Sequence, residues 1–337
     1  MERRLVAAIL LMILVAVVPQ LFLKSPRRPV APADSSQVVP AAPAPAPAQP
    51  AARPAAAATA RQAPPRVAPA PAETVAIATP LAHFTLSGLG ATVQQVQFSA
   101  YRMFGARRGP PVELLRPGDA LLAHEVVLGR DTVRFDSVAF AVEQQAESAV
   151  FRGHAGNVEL GLSYTFRAGS DYVIDVAGEL GGLGGQGALV RVGLGSGFAN
   201  TEADSIGNYR SYGAVGRRTE PKGLAFSKLA PGDTATLDGP FDWVAVKSKY
   251  FIGALLSPDS TKPAFGGLVL TGGPRVGRFA AQAATWATLP VGPDGRFRYR
   301  VYLGPQEFHQ LRMLGRTKVI ADTAQPGKAS DKAFPLV

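Results

Sequence analysis

The 337-residue chain contains no cysteine. That excludes a disulfide scaffold, a thiol nucleophile and any thiolate metal site. It leaves the compartment open, because exported bacterial domains often lack disulfides. Histidine is scarce as well. His83, His124, His154 and His309 stand alone, none two or four residues from another, so no local element offers a pair of imidazole ligands. Beyond Leu23 there is no apolar run of about 18 residues, the length a second membrane helix would need. Long helical periodicity is missing, which argues against a helix bundle. The glycine clusters Gly181-Gly182-Leu183-Gly184-Gly185 and Gly193-Leu194-Gly195-Ser196-Gly197 lack the lysine and following helix of a phosphate loop. No Gly-x-Ser-x-Gly nucleophile elbow occurs.

Charge is unevenly placed. The net charge is +10, but residues 1–72 hold 8 Lys/Arg against 2 Asp/Glu, and residues 73–337 hold 27 against 23. The high pI therefore comes largely from the N-terminal region. The remainder is mildly basic, with its cations scattered apart from Arg107-Arg108 and Arg217-Arg218, a poor pattern for nucleic-acid binding.

What is present begins with a membrane signal. Met1-Glu2-Arg3-Arg4 precedes an apolar run from Leu5 to Val18, then Pro19-Gln20-Leu21-Phe22-Leu23 and the basic stop Lys24, Arg27 and Arg28. Leu5 to Leu23 is 19 residues, which as a helix spans about 28 Å, near the ~30 Å hydrocarbon thickness. A cleaved signal peptide is the rival, since Leu5–Val18 fits the length of a signal core. Leu21-Phe22-Leu23 and the basic stop favour a retained anchor. The positive-inside count is nearly balanced. The N-terminus is placed inside because the tail before the helix is tiny and the region after it has the composition of a secreted domain. From Pro26 to Ala72, 13 of 47 residues are Pro and 18 are Ala. Proline stops the alanines from propagating a helix, so an extended, disordered spacer is expected.

From Glu73 the pattern is dense strands and turns. Strands are expected at Glu73–Thr79, Ala82–Ser87 and Val93–Phe98, the last with Val93 and Val96 out of strict alternation. Further candidates are Glu125–Leu128, Thr132–Phe135, Ala139–Gln145, Ala149–Arg152, Val158–Phe166, Tyr172–Leu180, Phe241–Leu256, Ala264–Thr271 and Val276–Leu289. Gly178 to Gly187 reads as a glycine-rich hairpin or loop, and Asn200 to Glu220 as a long surface excursion that is either a contact surface or a ribbon covering one side of the sheet. Lys247 and Lys249 beside Tyr250 and Phe251 mark a site or, more simply, stems lying over apolar surface. Arg296 to Leu303 alternates sharply, with Phe297, Tyr299, Val301 and Leu303 on one face and Arg296, Arg298, Arg300 and Tyr302 on the other. That cationic stripe either meets anions or is a solvated face paired with neighbouring carboxylates. Gln306–Leu314 follows as one short helix, with Pro305 at its first position and Gly315 at its stop. Past Ile320 a loose tail is expected.

Four blocks resemble the YidC family of bacterial membrane protein insertases, in the Oxa1 superfamily. They are the Met1–Leu23 anchor with its linker; Glu73-Thr74-Val75, Thr79-Pro80-Leu81, Phe84-Thr85-Leu86-Ser87 and Gly90-Ala91; Trp243-Val244-Ala245 with Lys249-Tyr250-Phe251; and Tyr302-Leu303-Gly304-Pro305-Gln306-Glu307 with Leu311 and Leu314-Gly315. The resemblance implies a mainly β, antiparallel β-supersandwich similar to galactose mutarotases with a short C-terminal helix, following one transmembrane helix and the Pro/Ala linker. It implies a single-pass inner-membrane chain with its N-terminus in the cytoplasm and its main domain in the periplasm. The boundaries expected are 1–24 anchor, 25–72 linker, 73–318 periplasmic domain and 319–337 tail.

The family's role is to assist insertion and folding of inner-membrane proteins, with or without the Sec translocon. Its partners would be inner-membrane lipid, Sec accessory subunits and nascent membrane proteins. Insertion in the family belongs to five later transmembrane helices and their hydrophilic groove. No such segment follows Leu23 here, so no groove residue carries over and the polypeptide alone is expected not to insert proteins. No enzyme activity, catalytic residue, cofactor or metal is expected. Two other readings are a membrane-anchored carbohydrate-binding or carbohydrate-processing β-sandwich, which would need paired carboxylates in a cleft, and an envelope adaptor.

Overall fold

The computed structural model describes residues 73–105, 108–166, 172–259, 262–277 and 279–312. The anchor, the Pro/Ala linker and the tail lie outside these residues. Within the described residues no helix is long and apolar enough to cross a membrane. The pairing between strands is antiparallel throughout.

Four strands, numbered in chain order, form the first sheet: β1 (Thr74–Ala78), β2 (Ala82–Ser87), β3 (Thr92–Arg102) and β4 (Pro111–Glu113), in that spatial order. Next come β5 (His124–Leu128), β6 (Asp131–Arg134), β7 (Ala141–Gln145), β8 (Ser148–Ala155), β9 (Val158–Phe166), β10 (Val173–Gly181) and β11 (Ala188–Gly193). After them lie β12 (Gly213–Arg217), β13 (Pro221–Ala225), β14 (Thr234–Phe241), β15 (Trp243–Lys247), β16 (Phe251–Leu256) and β17 (Phe265–Gly272). The series closes with β18 (Arg275–Val276), β19 (Phe279–Ala280), β20 (Ala283–Pro290) and β21 (Arg296–Pro305). The largest sheet has nine strands in the order β13-β12-β15-β16-β21-β10-β9-β8-β7. A six-stranded sheet runs β14-β17-β20-β11-β5-β6, and β18-β19 form a small ribbon.

One face of the nine-stranded sheet carries the core. Along β9, Val158, Leu160, Leu162, Tyr164 and Phe166 are buried, and along β21 so are Phe297, Tyr299, Val301 and Leu303. The six-stranded sheet covers the Tyr299 region, where His124 meets Tyr299 across the sandwich. The four-stranded sheet covers the other end: Phe84 packs on Phe166 at 5.0 Å, Phe98 stacks on Phe251 at 5.1 Å, and the Tyr164 hydroxyl donates to the Ala91 carbonyl at 2.7 Å. Two large sheets face to face, extended by a third, make the expected antiparallel supersandwich. Burying each aromatic ring stabilises the fold by about 1.5–3 kcal/mol.

A side chain lies closest over the backbone at Gly178. Its partner on β21 is Phe297, whose ring lies where a Cβ would sit, so only hydrogen fits. At Gly304 the rings of Tyr302 and Tyr172 take the corresponding space.

Several elements depart from the sequence expectations, each for a physical reason. The broken alternation of β3 is a β-bulge: Thr85 pairs Gln95 but Leu86 pairs Val93, so one extra residue lets Val93 and Val96 both face the core. Residues 178–181 continue β10 rather than forming a loop, because the bare Gly178 and Gly181 make room for the side chains of Phe297 and Glu159 on the neighbouring strands. Asn200–Glu220 is not a surface excursion throughout. It contains helix α1 (Ser205–Arg210), capped by Asp204 accepting from Gly207 N–H at 2.9 Å, and then β12. Asn208 and Tyr212 are buried there. Phe241–Leu256 is a hairpin, with residues 248–250 as its turn, so Lys249 does not share a strand face with Lys247. The Val276–Leu289 stretch is broken between β18, β19 and β20. Pro305 ends β21, opposite Phe251, and the chain is helical at 308–312.

Candidate functional site

The interior offers one histidine, and it is sealed. His124 and Tyr299 are each about 1% exposed, with Nε2 and the hydroxyl 2.8 Å apart. Burial pushes the imidazole down to about 3, with the Leu122 backbone working weakly against it. The ring is therefore neutral at ordinary pH, and its role is a cross-sheet hydrogen bond. Beside it on β5, Glu125 points to the other face and accepts from its two cross-strand neighbours, Arg191 at 2.7 Å and Arg134 at 3.3 Å. Arg191 lies over the Trp286 ring at 5.2 Å.

The second candidate is the arginine stripe of β21. Arg300 pairs with Asp175 at 3.0 Å and Arg296 with Glu179 at 3.6 Å, both on β10. Two of the three stripe arginines thus pair with carboxylates on the next strand, while Arg298 stands opposite Ala177. Further along the same face, Arg152, His154, Glu159 and Glu179 border a shallow cleft of about 390 Å³ floored by Gly161 and Gly181. It holds two carboxylates, the arrangement a sugar-processing site would need. Glu179 is the partner of Arg296, and Arg152 is that of Glu143 at 2.7 Å. Among the described residues no group of His, Asp and Glu is arranged to hold a metal.

The third candidate is a pocket of about 380 Å³ at one end of the sandwich, lined by Tyr101, Arg102, Gly105, Glu202, Tyr250, Phe251, Pro305, Gln306 and Glu307 among others. Four chain segments meet there. The end of β3 brings Tyr101, whose hydroxyl donates to Glu307 at 2.5 Å. Burial and the Glu307 carboxylate raise the phenol's pKa well above its usual value, so it stays a donor. The β15–β16 turn brings Tyr250, whose carbonyl accepts from Gln306 N–H at 2.7 Å. The Gln306 amide donates to the Ser248 carbonyl at 2.8 Å. The segment before α1 is fixed by Phe104 N–H donating to Thr201 at 2.8 Å. The Lys249 N–H donates to buried Asn208 Oδ1 at 3.2 Å, tying α1 to the turn. Of the residues singled out in sequence, Lys249 and Tyr250 come together here, with the ammonium 5.1 Å over the ring. Lys247 does not join them. Tyr101, Glu202 and Glu307 carry no local sequence signal, because the register of distant segments alone brings them together.

The model of the YidC periplasmic domain matches residues 74–324. The chain belongs to the YidC periplasmic domain family. A curated relative, the membrane protein insertase YidC of Chlorobaculum parvum, is 28% identical over 200 residues, covering 56% of this chain and 30% of the relative. The chain therefore spans under a third of that protein's length. Among solved structures, the periplasmic domain of Thermotoga maritima YidC aligns with a TM-score of 0.38 and 11% identity, over 75% of this chain and 94% of that one. The GalM/aldose epimerase homologue of C. elegans aligns with a TM-score of 0.45 and 9% identity, over 70% and 99%. In this YidC family member, the blocks Lys249-Tyr250-Phe251 and Tyr302–Glu307, far apart in sequence, converge on the end pocket.

Proposed function

We propose that the chain is the periplasmic interaction domain of an inner-membrane protein insertase, assisting insertion and folding of membrane proteins through contacts rather than chemistry. The carrying observation is the family match over residues 74–324 together with the convergence of two of its resembling blocks on one end pocket. In this reading residues 1–24 anchor the chain in the inner membrane with the N-terminus in the cytoplasm. Residues 25–72 are the spacer, 73–318 the domain and 319–337 a tail. Its partners are lipid, nascent membrane proteins and Sec accessory subunits. The absence of chemistry is supported by the sealed, neutral His124 and by Glu179 and Asp175 being bound to arginines.

The test is affinity isolation of the full chain from solubilised inner membranes. Co-purification of insertase transmembrane segments or Sec accessory subunits is the expected result. Recovery of cell-wall components alone would favour an envelope adaptor. Saturable binding of free sugars at the Glu159–Glu179 cleft would favour the carbohydrate reading.

A further inference from the structure

The end pocket sits in the middle of a surface whose make-up differs from the rest of the domain. Of seven exposed large apolar side chains, four cluster there: Phe104 beside Gly105, Ile206 on α1, Tyr250 on the β15–β16 turn, and Phe308 beside Glu307. Phe104, Tyr250 and Phe308 are 53%, 48% and 60% exposed. Around them are the exposed cations Arg102, Arg108, Lys249 and Arg312. None of these four enters an ion pair among the described residues. The local carboxylates are occupied from within: Asp204 caps α1, Glu202 accepts from Thr201, and Glu307 accepts from Tyr101. The surface thus interleaves exposed positive charge with aromatic rings, and its carboxylates are hydrogen-bonded within the domain.

We propose that this end of the domain docks on the headgroup region of an anionic lipid bilayer, with Phe104, Tyr250 and Phe308 entering the interface and Arg102, Arg108, Lys249 and Arg312 meeting lipid phosphates. Amphipathic rings and snorkelling cations are the side chains that prefer this depth. Position along the chain agrees. The described chain leaves the sandwich at this end, through the short helix at 308–312. It enters at the far end, where Glu73 accepts from Gly88 N–H. The 11-residue β3 separates the two ends by about 35 Å. Residues 26–72 are 47 in number and, at roughly 3 Å per residue if extended, would exceed the ~35 Å between the two ends. This rests on the anchored reading above.

The cysteine-free chain makes the test direct. The full chain carrying Phe104→Cys, Tyr250→Cys or Leu89→Cys is labelled with an environment-sensitive fluorophore and reconstituted into vesicles of phosphatidylcholine with phosphatidylglycerol and a headgroup nitroxide lipid. Leu89, 41% exposed in the β2–β3 turn at the far end, is the reference. Flotation of the vesicles first reports anchoring. Expected are strong quenching and a blue shift at positions 104 and 250 and neither at 89. The effect should weaken several-fold when salt is raised to about 1 M, where the Debye length shrinks to about 3 Å. It should weaken similarly with Arg102→Glu combined with Lys249→Glu, and in vesicles lacking phosphatidylglycerol. A chain that floats but shows equal quenching at all three positions overturns the docking surface and leaves the anchored reading standing. A chain that does not float contradicts both. Quenching indifferent to charge and salt overturns the headgroup assignment.

Discussion

Single residues set the conditions under which the domain holds. His124 is the clearest case. Its folded value of about 3 lies below the ordinary histidine value of about 6.5, so between those pH values the unfolded chain binds the extra proton. Stability is complete above pH ~6.5 and falls as pH drops through that window, by about 2–3 kcal/mol at pH ~4.5. Denaturant melts at several pH values should show this slope, and His124→Gln should flatten it whatever its own cost. Gly178 is the second case. Gly178→Ala forces Phe297 out of its place and should destabilise by about 1–3 kcal/mol, against a near-neutral effect for Gly161→Ala, where the nearest atom to a Cβ is 3.9 Å away. At the end pocket, Tyr101→Phe removes the donor to Glu307. It should cost about 1 kcal/mol in thermal melts while leaving the strand signal in circular dichroism unchanged.

Elements show where the sequence was legible. β9 was readable because it buries one face and alternates with period two, and β21 does so through Arg300, after which both faces are buried and Tyr302, expected outside with the arginines, is covered. The helix at 308–312 was readable from the apolar spacing of Phe308 and Leu311. The bulge in β3 showed only as a broken alternation, since a single extra residue has no composition of its own. β12 was hidden in Asn200–Glu220 because Gly213, Ala214 and Gly216 are small and give no apolar alternation, and at Gly216 the Phe241 ring lying against it leaves no room for a side chain. The β15–β16 turn was missed because both strands are buried on both faces, which erases the alternation that would mark their ends. The candidate site was legible only in part: Lys249 and Tyr250 stood out, while Tyr101 and Glu307 lie 206 residues apart and meet through sheet register alone. The arginine stripe was legible, and its pairing sorts by exposure. Arg300→Ala, on a partly buried pair with Asp175, should cost about 1 kcal/mol. Arg152→Ala, on a pair with both side chains about two-thirds exposed, should stay within about 0.5 kcal/mol. Parallel thermal melts of the two variants separate them.

Across the described residues, the domain presents a sealed interior, a sheet face on which Arg296 and Arg300 pair with carboxylates, and one end where aromatic rings, cations and the helix at 308–312 gather. That distribution is consistent with the proposed role in contacts. It also makes the two ends unequal, which is the feature a membrane experiment can read. The most direct measurement is site-specific photo-crosslinking of the full chain in native inner membranes during membrane-protein synthesis, with the photoreactive side chain at Tyr250 or at Leu89. The account predicts adducts from position 250 with nascent membrane proteins, insertion machinery or lipid, and few from position 89. Equal or absent adducts at position 250, together with saturable sugar binding by the same chain, would contradict it.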